Sequence, residues 1–209
     1  MTTPRDGEVE ECINGRTVAD GSYFGVDTSN IVDRLLGERL EDGGWNCERA
    51  NGSVRSSFDT TINVLEGLLE YEKSGRGTPE SIAARKSGEE YLLKRHLFRR
   101  LTTNEPADKQ YLCFTHPNRW HYDILRALDY FRDKSIYTGD KPDPRLEEAI
   151  NYVRSKRADD GKWHLDRDLR GRVWFKVNDG PGKPSPWITL RAMRVLKWWD
   201  GHTPSPGAL

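Results

Sequence analysis

The chain of 209 residues is 35% hydrophobic and 32% charged, which predicts one domain with a thin or elongated core. Its 33 Lys and Arg residues balance 33 Asp and Glu residues, so no net field favours nucleic acid or an anionic membrane as a partner. No segment approaches the roughly 20 apolar residues of a membrane span, and the N-terminal residues lack the apolar core of a signal peptide.

The cysteines are odd in number and far apart: Cys12, Cys47 and Cys113. We therefore expect no disulfide framework, and this cysteine usage favours a cytoplasmic protein. Cys113 and His116 have a Cys-X-X-His spacing that suits zinc, but no second close pair completes four ligands. Ordinary thiols and no cofactor are the expectation, and zinc is the alternative.

The N-terminal third predicts an irregular segment followed by two helices. Residues 1–27 contain several glycines and no helical apolar pattern, so we expect an irregular N-terminal segment. An amphipathic helix begins near Ile31 and ends at the glycine pair 43–44. Ser57 is a natural N-cap for a second, more apolar helix that starts at Phe58.

Two further pairs of helices follow. Thr78 and the proline after it predict a helix from about residue 79 to 100, and a partner helix is predicted from Tyr122. In the third pair, apolar residues from Leu146 to Val153 form one helix, and the other runs from Trp187 to about residue 199. Residues 158–184 form a long connection, and long loops in compact domains are often functional or mobile. Residues 173–177 predict a short strand inside it, and the tail 201–209 is expected to be disordered.

Similar segments recur along the chain. Phe58, Tyr122 and Trp187 each open a helical segment, at separations of 64 (122−58) and 65 (187−122). The three aromatic residues are therefore predicted to be equivalent, as are Asp59 and Asp123, which follow Phe58 and Tyr122. Asp-Gly-Gly-Trp at 42–45 recurs as Asp-Gly-Lys-Trp at 160–163, an offset of 118 (163−45). Such periods predict stacked supersecondary units. We therefore expect an all-α fold, a repeat domain of about three helical hairpins over residues 28–200.

The chain resembles the terpenoid cyclase and protein prenyltransferase superfamily in three successive features. These are the Asp-Gly-Gly-Trp turn, the Ser-Ser-Phe-Asp-Thr-Thr segment at 56–61 and the apolar helix after it. The squalene–hopene cyclase-like repeat is the nearest form. The resemblance extends from about Asp27 to Trp199 and implies an α/α toroid, in which inner helices surround a central cavity. Complete toroids contain more hairpins than the three predicted here, so the resemblance implies a partial ring.

The resemblance also supplies candidate catalytic residues. Cyclases carry Asp-X-Asp-Asp-Thr at the start of an inner helix, and the middle aspartate is the proton donor. At the matching place here Phe58 stands in the position of the proton donor, and only the last acid is kept, as Asp59. Asp59 is the candidate acid, and His121 and Asp123 are a candidate proton-relay pair. The alternative, which we favour for Asp59 and Asp123, is that first-turn acids satisfy free N–H groups and the helix dipole.

Aromatic side chains provide candidate substrate contacts, since their faces stabilise carbocations. The candidate substrate-binding residues are Phe58, Trp120, Tyr122 and Trp187. Plain packing is the alternative for these residues. Packing is the favoured role for the turn residues Trp45 and Trp163.

The resemblance implies a terpenoid cyclase-like or prenyltransferase-like protein with an apolar cavity for an isoprenoid or similar hydrophobic ligand. Cyclisation by the known mechanism is not expected, because the proton-donor motif is incomplete. The alternative function is a non-catalytic helical-repeat interaction module, or a half-ring completed by another chain, for which a homodimer is one form.

Overall fold

The computed structural model describes residues 7–169, 171 and 173–202, and its secondary structure there is helical. Seven α-helices occur in these ranges: α1 (Glu11–Tyr23), α2 (Ser29–Gly37), α3 (Phe58–Tyr71), α4 (Pro79–Leu93), α5 (Ile124–Thr138), α6 (Glu147–Ser155) and α7 (Pro186–Asp200). Short helical turns cover Cys47–Asn51, Glu72–Arg76, Lys109–Leu112 and Pro144–Leu146. The all-α prediction is confirmed for the described residues. The strand predicted at 173–177 is not formed, because these residues lie in bends and unpaired coil.

The chain divides into two compact units, Met1–Lys94 and Arg95–Leu209. The first unit contains α1 to α4 and the second contains α5 to α7, so the helices of the second predicted hairpin belong to different units. The predicted helix from residue 79 to 100 ends at Leu93, shortly before positive φ angles at His96 and Leu97. None of the helices in the described ranges is long and apolar enough to cross a membrane.

A tryptophan turn joins α2 to α3 in the first unit. The indole Nε1 of Trp45 donates to the carbonyl of Leu35 at 2.7 Å, and the Trp45 amide donates to Thr61 Oγ1 at 3.1 Å. The Ser57 amide donates a hydrogen bond of 2.9 Å to the Trp45 carbonyl, and the Ser57 side chain caps α3. One tryptophan therefore joins the end of one helix to the start of the next.

The second unit repeats this arrangement between α6 and α7. The indole of Trp163 donates to the Val153 carbonyl at 2.7 Å, and its amide donates to Thr189 Oγ1 at 3.1 Å. The Ser185 amide donates to the Trp163 carbonyl at 3.0 Å, and the Ser185 side chain caps α7. The two turns thus share their hydrogen bonds, which confirms the packing role predicted for both tryptophans and their offset of 118.

The N-caps correct the predicted register of the repeats. Ser57, Asp123 and Ser185 cap α3, α5 and α7, so these three residues are equivalent. Asp59 is the second residue of α3, Asp123 precedes α5, and Trp187 is the second residue of α7. The predicted alignment of Phe58 with Tyr122 and Trp187, and of Asp59 with Asp123, is therefore wrong. The spacing of the aromatic residues does not show at which residue each helix begins, whereas the capping hydrogen bond does.

Helix α1 corrects the expectation that residues 1–27 are irregular. Glycine lowers helix propensity, which is why the segment around Gly15 does not predict a helix. The same glycine permits a close approach to α3: a Cβ on Gly15 would lie 2.5 Å from the Asn63 carbonyl oxygen, and one on Gly67 would lie 2.3 Å from the Gly15 carbonyl oxygen. The backbones of α1 and α3 therefore touch, and packing stabilises a helix that local propensity disfavours.

We expect Gly67→Ala to destabilise the first unit by about 1–3 kcal/mol, because the new methyl group overlaps the backbone of α1. Urea unfolding followed by far-UV circular dichroism measures the loss. Gly37→Ala is the matched control, since this exposed helical glycine has nothing within 4 Å of its added Cβ. The control should be neutral or stabilising, and equal losses in the two variants would contradict the close α1–α3 contact.

The predicted disordered tail falls almost wholly outside the described residues. Gly201 and His202 form a turn after α7, where the His202 amide donates to the Trp199 carbonyl at 3.0 Å. The remaining tail, residues 203–209, lies outside the described ranges, so the prediction of disorder is untested.

Candidate functional site

The two candidate residues of the first unit stand at the start of α3. Phe58 is buried and packs edge-on against Tyr91, with ring centroids 5.6 Å apart. Asp59 is half-buried in the first turn, and its carbonyl oxygen accepts from Asn63 Nδ2 at 2.7 Å. A carboxylate there faces the positive end of the helix dipole, and Phe58 is a core residue. The role of Asp59 as an acid stays a prediction.

Asp123 caps α5 and accepts hydrogen bonds from the loop that precedes it. Its carboxylate accepts from the amide of Arg126 at 2.7 Å, from Asn118 Nδ2 at 2.5 Å and from the amide of Thr115 at 3.3 Å. The side chain is only 1% exposed. Its lone pairs are thus occupied by structural donors, which supports the capping alternative.

The neighbours of Asp123 make separate contacts. The ring of His121 stacks on Trp120 with centroids 3.7 Å apart, and its carbonyl oxygen accepts from Arg126 Nη1 at 2.8 Å. Tyr122 is buried, and its hydroxyl donates to the Leu97 carbonyl at 2.6 Å. Trp120 is 55% exposed. Tyr122 therefore belongs to the core of the second unit, whereas Trp120 lies at its surface.

Trp187 borders a groove in the second unit. Its ring stacks on His116 at a centroid distance of 5.2 Å, and its Nε1 donates to the Val177 carbonyl at 3.2 Å. The groove has a volume of about 240 Å³ and runs between the His116 loop and the long connection before α7. We call it the 116–178 groove, and its lining includes His116, Arg119, Asp168, Val173, Phe175, Val177 and Asn178.

Hydrogen bonds anchor the walls of the 116–178 groove. Asn178 Nδ2 donates to the carbonyl of His116 at 2.7 Å, and Ser185 Oγ donates to Asn178 Oδ1 at 2.6 Å. The cap of α7 therefore also positions the long connection. Burial and the nearby Arg191 guanidinium lower the pKa of His116, so its imidazole is neutral near pH 7.

The groove combines an apolar wall with charge. Val173 and Phe175 are 57% and 74% exposed, so both keep apolar surface free for a ligand. Arg119 and Lys176 bring cations to the lining and Asp168 an anion. Of these lining residues only His116 was a candidate ligand from the sequence, for zinc. The length of the connection and its apolar residues 173–175 were the signal that could have indicated the groove.

A second, wider depression lies in the first unit, where α1 turns into α2. Its volume is about 690 Å³, and Asp20, Phe24, Val26 and Asp27 are among its lining residues. Phe24 and Val26 are largely exposed there. None of the candidate site residues from the sequence lines this depression, and its charged lining residues are acidic.

Two of the three cysteines meet in the first unit. Cys47 Sγ accepts from the Cys12 amide and from Thr60 Oγ1, both at 3.3 Å. Interaction with the Cys12 side chain, assisted by donation from Thr60 and the Cys12 amide, lowers the pKa of Cys47 to about 7 despite burial. The same interaction and burial raise the pKa of Cys12.

The thiols lie beside a carboxylate. Cys12 Sγ donates to Glu10 Oε2 at 3.7 Å, and one ligand atom each of Glu10, Cys12 and Cys47 lie within 4.8 Å of one another. They provide three ligand atoms, one fewer than a closed structural zinc site uses. Cys113 is in the other unit, where its thiol donates to the Lys109 carbonyl at 3.6 Å and burial raises its pKa. Cys113, the cysteine of the Cys-X-X-His spacing, is thus assigned to a different unit from Cys12 and Cys47.

The described part of the chain therefore has two features suited to ligand binding or to chemistry, the 116–178 groove and the Cys12–Cys47 pair. Both are built from segments that are far apart in the sequence. Comparison with known proteins identifies no family for this chain, since no protein-family model, no curated protein and no solved structure matches it.

Proposed function

We propose that the protein binds an isoprenoid or similar hydrophobic chain in the 116–178 groove, as a terpenoid cyclase-like or prenyltransferase-like protein that lacks the cyclases' proton donor. The observation that carries the proposal is the apolar wall of Val173 and Phe175 beside the His116–Trp187 stack. Fully burying an aromatic side chain of this kind contributes about 1.5–3 kcal/mol to the binding of a branched hydrocarbon chain.

The repeated tryptophan turns support the relation to the toroid proteins. Both turns pass from one helix to the next with the same three hydrogen bonds, as a repeat protein requires. The partial ring is part of the proposal. Fold alone does not determine function, so the class of ligand is inferred from the side chains that line the groove.

The charges of the groove suit a polar head group on the hydrophobic chain. The Arg119 guanidinium and the Lys176 ammonium favour an anion such as phosphate, whereas the Asp168 carboxylate opposes a high negative charge. Titration with farnesol and with farnesyl diphosphate separates the contribution of the tail from that of the head. Isothermal titration calorimetry of the full chain measures both.

Phe175→Ala should weaken binding of the farnesyl chain about 10-fold or more, since about 1.4 kcal/mol of lost contact corresponds to a factor of ten. Trp174→Ala is the matched control, because Trp174 is 83% exposed, adjacent in sequence and outside the groove lining. The control should keep wild-type affinity. Equal losses in both variants, or no binding by the wild type, would contradict the proposal.

A second candidate function, the partner-completed repeat module, is favoured by the outer face of α7. Leu190 and Met193 are 50% and 56% exposed and follow Trp187 at helical spacing. This apolar stripe suits a second copy of the chain, because exposed apolar patches tend to be interaction surfaces. The number of subunits in a native mass spectrum tests this candidate, and a non-covalent lipid adduct in the same spectrum supports the first.

A further inference from the structure

The Cys12–Cys47 pair brings two thiols together from distant parts of the first unit. Cys12 is in the first turn of α1, and Cys47 starts the short helix after the tryptophan turn. Their sulfur atoms lie within 4.8 Å of each other, and both residues are half-buried. Side-chain rotation can close such a separation into a disulfide, and a small oxidant can reach it.

The hydrogen bonds around Cys47 are those that a thiolate needs. The Cys12 amide is one of the free N–H groups at the start of α1, and it points to Cys47 Sγ. Thr60 Oγ1 donates to the same sulfur. A helix N-terminus and a hydroxyl donor both favour the thiolate, which is the nucleophilic form of cysteine.

The charged groups near the pair separate the roles of the two thiols. Glu10 accepts from the Cys12 thiol, which keeps the proton on Cys12. Glu11 is buried and disfavours a nearby negative charge, but Arg49 pairs with it at 3.0 Å and with Glu38 at 2.9 Å. The lowered pKa of Cys47 agrees with this arrangement. Cys47 is thus the nucleophile and Cys12 the thiol that reacts second.

We infer that Cys12 and Cys47 form a peroxide-sensitive dithiol, in which Cys47 is oxidised first and Cys12 then closes a disulfide. This inference concerns the first unit and is independent of the groove proposed above. It assigns a modification site whose co-reactant is a hydroperoxide. The disulfide would join α1 to the short helix after the tryptophan turn, across the 34 residues between the two cysteines (47−12−1).

The chemistry proceeds in two balanced steps. The Cys47 thiolate attacks one peroxide oxygen, an S–O bond forms, the O–O bond breaks, and the leaving oxygen takes a proton from water to become an alcohol. The Cys12 sulfur then attacks the Cys47 sulfenic acid, an S–S bond forms, and the hydroxyl leaves as water with the Cys12 proton. Two electrons pass from the thiols to the peroxide.

The test is peptide mass spectrometry of the full chain after limited tert-butyl hydroperoxide and quenching with N-ethylmaleimide. We expect a linked peptide pair containing Cys12 and Cys47, with Cys113 alkylated. Cys113 is the internal control, because it is also half-buried but burial raises its pKa. At pH 7 Cys47 should react about tenfold faster than Cys113, in line with its larger thiolate fraction.

Variants separate the two roles. Cys12→Ser should stop at the sulfenic acid, which dimedone traps on Cys47, and Cys47→Ser should give no dimedone adduct on Cys12. Thr60→Val should slow the oxidation of Cys47 at pH 7 by removing one donor to its sulfur. Oxidised wild type should melt at a higher temperature than the reduced protein, because the disulfide restricts the unfolded chain.

Three outcomes overturn the inference, and the first two come from the wild type alone, so they do not depend on whether a variant folds. The first is equal oxidation of Cys113 and Cys47, and the second is a purified protein with one zinc ion that blocks alkylation of Cys12 and Cys47. The third is dimedone labelling of Cys12 in Cys47→Ser at the rate of Cys47 in Cys12→Ser.

Discussion

Trp45→Ala is expected to destabilise the first unit by about 3–5 kcal/mol, which is a large part of the stability of an ordinary domain. The side chain is fully buried, and its ring fills the space above α4: a Cβ on Gly88 would lie 2.7 Å from Trp45 Cζ3. Truncation leaves a cavity between three helices. Urea unfolding followed by far-UV circular dichroism measures the loss.

The indole hydrogen bond adds a second contribution to this loss. Nε1 of Trp45 donates to the Leu35 carbonyl at 2.7 Å near the end of α2, where carbonyl groups lack helical partners. An unsatisfied buried acceptor costs about 1–3 kcal/mol. Trp45→Phe keeps most of the ring volume and loses this donor, so it should fall between the wild type and Trp45→Ala.

The control for both substitutions is Trp120→Ala, since Trp120 is 55% exposed. A surface substitution of this kind should change the free energy of unfolding by no more than about 0.5 kcal/mol. If Trp45→Ala cost as little as Trp120→Ala, the tryptophan turn would have no part in joining α2 to α3.

Arg85→Ala is expected to cost about 3–5 kcal/mol, because it removes a buried cation from its ion pairs with Glu72 and with Glu89 of α4. The Arg85 side chain is 2% exposed, and its Nε donates to Glu72 at 2.8 Å. Its Nη1 donates to Glu89 at 2.5 Å, and the Glu89 side chain is 8% exposed. The loss measured by urea unfolding therefore includes the desolvation of carboxylates that no longer pair with Arg85, as well as lost packing.

Arg16→Ala on α1 is the matched control for Arg85→Ala. Arg16 pairs with Asp20 four residues later, as Arg85 does with Glu89, but these two side chains are 59% and 55% exposed. Exposed ion pairs contribute about 0–1 kcal/mol, so the control should be close to the wild type. A triple variant, Arg85→Leu with Glu72→Gln and Glu89→Leu, should recover much of the loss. Similar losses in Arg85→Ala and Arg16→Ala would show that burial of the pair is unimportant.

The register of the repeats could be read only in part from the sequence. The N-caps at Ser57 and Thr78 and the two tryptophan turns were predicted correctly, since each depends on residues close together in the chain. The equivalence of Asp59 and Asp123 was wrong, because an aromatic residue can fall on either side of a helix start. Phe58 and Tyr122 were candidates for substrate contact or for plain packing, and the burial of both side chains favours packing.

The sequence by itself determined the helical class, the caps and the repeated turn, because each of these depends on short-range hydrogen bonds and hydrophobic periodicity. Tertiary structure decided the rest. Helix α1 is stable because two glycines let its backbone meet α3, a contact between Gly15 and Gly67 that no local pattern encodes. Cys12 and Cys47, like His116 and Phe175, converge only when distant segments pack together, and packing depends on the shapes of all the elements involved.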